Sequence, residues 1–266
     1  MAKNLLNMIA GAALGTAMLS MNANAEEKSK IEPYGSLSIG YFDSYTVTSG
    51  AEIGRSVFEG GTGVIQDTLA LGARNVFMKN DDLCFTIWSN TDPDMKHYGK
   101  NNPITEVDIG PSYSFSLGKV FNGDLRANMG AHGWLYPNGF EGKYDIEFEG
   151  GLSWNGPISL NANAVHILQH DRTDQGTYVV LGANKSLNLG NVKGWNFSLT
   201  PSLSACWNDM FQDYSSWAVV MPRADLSMSK GNATISAGAG YQFSLDKGKS
   251  EKKNKPVFST AITWAF

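Results

Sequence analysis

The chain has 266 residues, of which 42% are hydrophobic and 17% charged, with a net charge of −4. A soluble globular surface usually carries more charge, about 25% of the chain, and this mildly acidic balance offers nothing to nucleic acid. Mean hydropathy is −0.23, and beyond the N-terminal stretch no run of apolar residues is long enough for a helical membrane span.

The first element reads as an export signal. Lys3 supplies a positive n-region, Leu5 to Leu19 is an apolar h-region, and Ala23-Asn24-Ala25 is a small-x-small cleavage site. Residues 1–25 are therefore expected to be removed, leaving 26–266 as one β-domain. No Cys follows the h-region, so a lipoprotein anchor is not expected.

The mature chain then breaks into about twelve segments of alternating character, separated by turn signals. They run Tyr34–Tyr45, Val64–Asn75, Leu83–Asn90, Ile104–Leu117, Asp124–Tyr136, Tyr144–Trp154, Ile158–Leu168, Thr177–Leu187, Gly194–Trp207, Tyr214–Met228 and Ala233–Leu245, and close with the strand after Lys255. Connections alternate in length. Those at Lys79–Asp82, Asn155-Gly156 and Lys230–Asn232 are short, and those at Thr46–Gly63, Thr91–Pro103 and Asp246–Lys255 are long. Asn155-Gly156 is a hairpin signal, whereas Asn188–Lys193 reads as a turn. Short turns alternating with longer loops are the pattern of a transmembrane, antiparallel, up-and-down β-barrel. The expected fold is all-β with about twelve strands, ten or fourteen being the alternatives. An even count puts both termini on the periplasmic side.

The faces are legible. Val107, Ile109, Tyr113, Phe115 and Leu117 alternate with Glu106, Asp108, Ser112, Ser114 and Ser116. Tyr144, Ile146, Phe148, Leu152 and Trp154 alternate with Asp145, Glu147, Glu149 and Ser153. Trp195, Phe197, Leu199, Leu203 and Trp207 alternate with small polar residues. Aromatics gather at segment ends, where interfacial girdles belong. Since Arg or Lys facing lipid costs about 2–4 kcal/mol at the midplane, the polar faces should line the lumen.

That places Glu106, Asp108, Asp145, Glu147 and Glu149 on neighbouring staves, with Arg126 expected among them and Arg223 and Asp225 on a distant wall. Acids facing Arg would set up a transverse field that selects solutes by charge. The same groups can equally form a static network that stiffens the barrel. About twelve strands suits a narrow pore rather than a wide one.

An enzyme is the main competing class. The histidines are His97, His132, His166 and His170, with His97 and His170 in predicted loops and His132 on an inward face. None stands at a spacing that marks a triad. Asp92-Pro93-Asp94 reads as a turn, and no phosphate loop or Cys/His metal cluster is present. Catalytic residues, metals and cofactors are therefore not expected. Cys84 and Cys206 fall near opposite rims of distant strands and are expected to stay as free thiols. Lys247, Lys249, Lys252, Lys253 and Lys255 form a basic run suited to lipopolysaccharide phosphates.

The last segment has period two. Phe258, Ile262, Trp264 and Phe266 form an apolar face, alternating with Ser259, Ala261 and Thr263. This end resembles the C-terminal signature of bacterial outer-membrane proteins, and implies recognition by the barrel-assembly machinery through this strand.

Further stretches resemble the TorF-type porins of Gram-negative bacteria. They are Thr48-Ser49-Gly50 leading to Val64-Ile65-Gln66, then Trp88-Ser89-Asn90, Glu106-Val107-Asp108 with Tyr113, Tyr136-Pro137, and the Glu147/Glu149 alternation. Gly54-Arg55 stands reversed relative to the Arg-Gly pair of that family. The resemblance implies an outer-membrane porin and supplies no catalytic residues. The expected function is passive diffusion of small hydrophilic solutes, the competing readings being a lipid-modifying outer-membrane enzyme and a closed structural or surface-binding barrel.

Overall fold

The computed structural model describes residues 30–43, 63–91, 103–135, 144–169, 176–209, 215–245 and 254–266. They form β1 (Glu32–Phe42), β2 (Val64–Arg74), β3 (Asp82–Thr91), β4 (Ile104–Val120), β5 (Gly123–Leu135), β6 (Tyr144–Asn155) and β7 (Ser159–Gln169). The remainder are β8 (Gly176–Asn184), β9 (Leu187–Val192), β10 (Trp195–Asp209), β11 (Ser215–Lys230), β12 (Ala233–Ser244) and β13 (Lys255–Ala265). All pairings are antiparallel and join chain neighbours, except that β10 pairs with both β8 and β9, and β13 returns to β1. The β13–β1 pairing closes the sheet, as a β-structure in lipid requires; among the described residues only β9 is paired on one side alone, with β10.

Thirteen elements make twelve staves. β8 pairs with the upper part of β10, from Ser202 to Asp209, and β9 with its lower part, from Trp195 to Leu199. The two are one stave interrupted at Lys185-Ser186, where Lys185 N–H still donates to Pro201 O at 3.1 Å. The expected turn at Asn188–Lys193 is thus mostly strand, and the chain reverses at Lys193-Gly194, both at positive φ (51° and 81°). Asn188 and Asn191 suggested a turn by type, but pairing with β10 overrides that local preference.

The expected alternation of connections is met among the described residues. Short turns join β2 to β3, β4 to β5, β6 to β7, β9 to β10 and β11 to β12, and both ends of the sheet, Glu32 and Phe266, lie at that end. The apolar faces point outward: Leu37, Ile39, Leu152, Leu203, Phe258, Ile262 and Trp264 are all exposed. In water this would be an aggregating surface, and in a bilayer it is the belt that removes apolar area from water. As expected, Ser259, Ala261 and Thr263 face inward.

Candidate functional site: the lumen

The inner surface divides into two halves. Toward the short turns it is small and polar: Ser36, Ser38, Ser112, Ser114, Ser116, Asn128, Ser153, Asn161, Asn163, Ser198, Thr200 and Ser202. Each alternates with an outward apolar or small residue. Inward glycines here are seats for side chains of the neighbouring stave. Asn161 lies over Gly182, Asn163 over Gly151, and Tyr34 over Gly72, so a Cβ at any of these would overlap its occupant.

Toward the long loops the lumen narrows. Val165, Ile167, Tyr178, Val180, Cys206 and Val219 form a buried apolar cluster on β7, β8, β10 and β11, with Trp134 of β5 packed against it. Ile167, Cys206 and Val219 are fully buried. The alternation argument did not foresee this stopper. Its trace in the sequence is the unbroken apolar run Tyr178-Val179-Val180-Leu181, which is apolar on both faces.

The predicted acids border it. Glu106 and Asp108 on β4, and Asp145, Glu147 and Glu149 on β6, all face inward in the half nearest the long loops. Between them β5 presents His132, whose Nδ1 is 3.6 Å from Glu147 Oε1. Two glycines make room. A Cβ at Gly110 would stand 2.5 Å from His132 Cδ2, and one at Gly130 would stand 2.6 Å from Glu149 Oε1. Asp108 lies in register between Trp88 and Trp134, and its Oδ1 is buried without a hydrogen-bond partner. Glu147 pairs across the sheet with Ile167 and Glu149 with Val165, so the acidic wall runs directly into the apolar stopper.

Arg126 is not in this cluster. It lies about 20 Å down β5 from His132, at roughly 3.3 Å per residue. There it donates to Asn80 O and Ser114 Oγ, both at 2.9 Å. Sequence placed it correctly on the inward face but not at the height of the acids, because hairpin register, not residue order, sets height. The histidine took the position expected of the arginine.

Arg223 and Asp225 also depart from expectation. They stand two residues apart on β11 and pair with each other, Arg223 Nε lying 2.9 Å from both Asp225 oxygens and Nη2 lying 2.6 Å from Oδ1. Arg223 Nη2 also donates to Ser259 Oγ across the lumen wall. Gly238 provides the space, since a Cβ there would overlap both side chains. The arginine is neutralised locally, so it does not oppose the acids as a bare charge.

The mouth at the short-turn end carries a further polar group. Tyr34 O–H donates to Asp82, Arg74 stands 3.8 Å from the same carboxylate, and its guanidinium lies 5.2 Å from the Tyr34 ring centroid. Cys84 and Cys206 are free thiols, one partly exposed and one buried, on strands separated by much of the barrel. His97, His170, Asp92, Asp94 and the basic residues 247–253 lie outside the described residues. Lys255 begins β13 and faces inward.

No family model matches the sequence, and no curated protein matches it. Solved structures do match by shape. The COG4313 outer membrane channel from Pseudomonas putida F1 aligns over 92% of this chain and 98% of its own, with a TM-score of 0.50 at 12% identity. The fold is that of an outer-membrane β-barrel. Outer membrane phospholipase A from Escherichia coli aligns over 87% of this chain and 92% of its own, with a TM-score of 0.48 at 11% identity. LpxR from Salmonella typhimurium aligns over 86% and 99%, with a TM-score of 0.44 at 9% identity. At these identities the likeness concerns architecture alone.

Proposed function

We propose that this barrel sits in the bacterial outer membrane, after removal of residues 1–25, as a narrow channel for small hydrophilic solutes with a preference for cations. The observation that carries this reading is the inward group of Glu106, Asp108, Asp145, Glu147 and Glu149 on two staves flanking His132. Fixed carboxylates in a confined lumen attract cations and repel anions. The arginines do not cancel them, because Arg126 is remote and Arg223 is held by Asp225. The small polar half forms a vestibule, and the apolar stopper next to the acids narrows the route, so conductance should be small. The resemblance to TorF-type porins supports the same reading.

The decisive experiment is single-channel recording in planar bilayers under a salt gradient. Small conductance steps with a cation-side reversal potential are expected, and Glu147→Gln should move that potential toward zero. A folded, pure protein without any conductance step would exclude the channel.

The lipid-modifying reading has one observation in its favour. His166 Nδ1 and Thr177 Oγ1 are 2.9 Å apart on the outward face near the long-loop end. A base beside a hydroxyl is the beginning of an acyl-transfer site. Release of fatty acid from outer-membrane lipid, abolished by His166→Ala, would favour that reading over the channel.

A further inference from the structure

Two tryptophans face the lumen rather than lipid. Of the seven in the chain, Trp154, Trp195, Trp207, Trp217 and Trp264 face outward near strand ends, where interfacial rings belong. Trp88 and Trp134 instead share parity with inward residues, Trp88 with the buried Asn90 and Trp134 with His132. They are not membrane anchors.

Strand pairing sets both at one level. Trp88 stands opposite Asp108, Asp108 opposite Trp134, and Trp134 opposite Asp145. The adjacent staves β3 to β6 therefore present an alternating row of indole and carboxylate. Asn90 and Glu106 border the row toward the long loops, and His132 and Glu147 border it toward the polar vestibule. Trp88, Asp108 and Trp134 are half-buried, so each keeps some accessible surface.

Asp108 is the centre of the row. Its Oδ1 is buried without a hydrogen-bond partner, so it forgoes hydration that it has in the unfolded chain. The barrel's own cations are engaged elsewhere, His132 with Glu147 and Arg126 with Asn80 and Ser114. An indole face attracts a cation within about 6 Å of its centroid. A group that suits the row carries N–H donors for Asp108 and positive charge for two rings. It also needs apolar surface for the cluster beside Trp134, which includes Val165, Ile167 and Tyr178. A bare divalent ion has no such surface, and its six or more oxygen ligands cannot converge where an indole separates the two carboxylates of the row. An alkylammonium ion meets all three demands.

We propose that Trp88, Asp108 and Trp134 form a binding site for a primary alkylammonium ion. The ammonium sits on Asp108 between the two indoles, and the alkyl chain runs along Trp134 toward the apolar cluster. The inference rests on the lumen being the route for cations, and it names the class of cation that this route favours.

The test is equilibrium binding of n-butylammonium chloride to folded, purified full-length protein in detergent. Tryptophan fluorescence and calorimetry follow it at constant ionic strength, with potassium chloride as the reference and heat-modifiable electrophoresis to verify folding. One saturable site is expected, at least about tenfold tighter for butylammonium than for potassium. Asp108→Asn should weaken it at least about tenfold, the loss expected of a charge-assisted contact. Trp88→Leu, outside the apolar cluster, should weaken it about threefold or more. Absence of saturable binding, or equal affinity for the two cations, would overturn the proposal. So would either folded variant binding butylammonium like the wild type. Bilayer recording separates this site from the channel reading. Conductance steps without butylammonium binding retain the channel and overturn the site, whereas binding without conductance steps retains the site and removes the channel.

Discussion

Gly35 and Phe266 close the barrel on each other. Gly35 N–H donates to Phe266 O at 2.7 Å, and Phe266 N–H donates to Gly35 O at 2.8 Å. The Phe266 ring covers the outer face of Gly35 where any other residue would carry a Cβ. The last residue of the chain is thus both the final rung of the β1–β13 ladder and a cover for its neighbour's backbone. Gly35→Val should displace the ring and weaken closure by about 1–3 kcal/mol, the usual cost of forcing extra volume into a packed site. Urea unfolding followed by heat-modifiable electrophoresis would measure it, and Phe266→Ala in the Gly35→Val background should recover part of the loss.

The β2–β3 turn depends on one buried carboxylate. Asp81 is 1% exposed. It accepts from Val76 N–H at 2.6 Å, and from Phe77 N–H, Met78 N–H and Tyr113 O–H at 2.9 Å each. Asp81→Ala should destabilise the folded barrel by about 1–3 kcal/mol, because it removes the acceptor of four part-buried donors at once. Asp81→Asn should cost less, since the amide oxygen still accepts. Equilibrium unfolding in urea would rank the two, and equal stability of Asp81→Ala and the wild type would contradict this account of the turn.

Ion selectivity gives a separate readout for Arg223. Arg223→Met removes a cation and leaves Asp225 uncompensated in the lumen, so cation preference should rise. Arg223→Met with Asp225→Asn removes both members of the pair and should return selectivity toward the wild type. The non-additivity of this cycle in the reversal potential measures their coupling.

The two thiols should react in sequence. Cys84 is partly exposed to the polar half of the lumen, while Cys206 is fully buried in the apolar stopper. A small charged maleimide added to folded protein should give one adduct by mass spectrometry, at Cys84, and a second only after denaturation. Two adducts on the folded protein would show that the stopper opens.

The sequence by itself determined the elements and their faces. A period of two tells which side chains share a face, and turn residues mark where the chain reverses, both of which are local properties. Hence the apolar staves from Val107 to Leu117 and from Tyr144 to Trp154 read correctly, as did the outward set ending at Phe266. What lies at the same height inside the barrel is decided by register and strand tilt, which no local pattern encodes. Arg126 and Glu147 share a lumen but not a level, and His132 reaches Glu147 because hairpin pairing sets it opposite. Arg223 and Asp225, two residues apart on one strand, share a face by local parity, and only the room for their pairing, left by Gly238 on the next strand, is tertiary. Asp108 shows the other limit. Its parity was there to be read, but its place between Trp88 and Trp134 is set by the pairing of three strands.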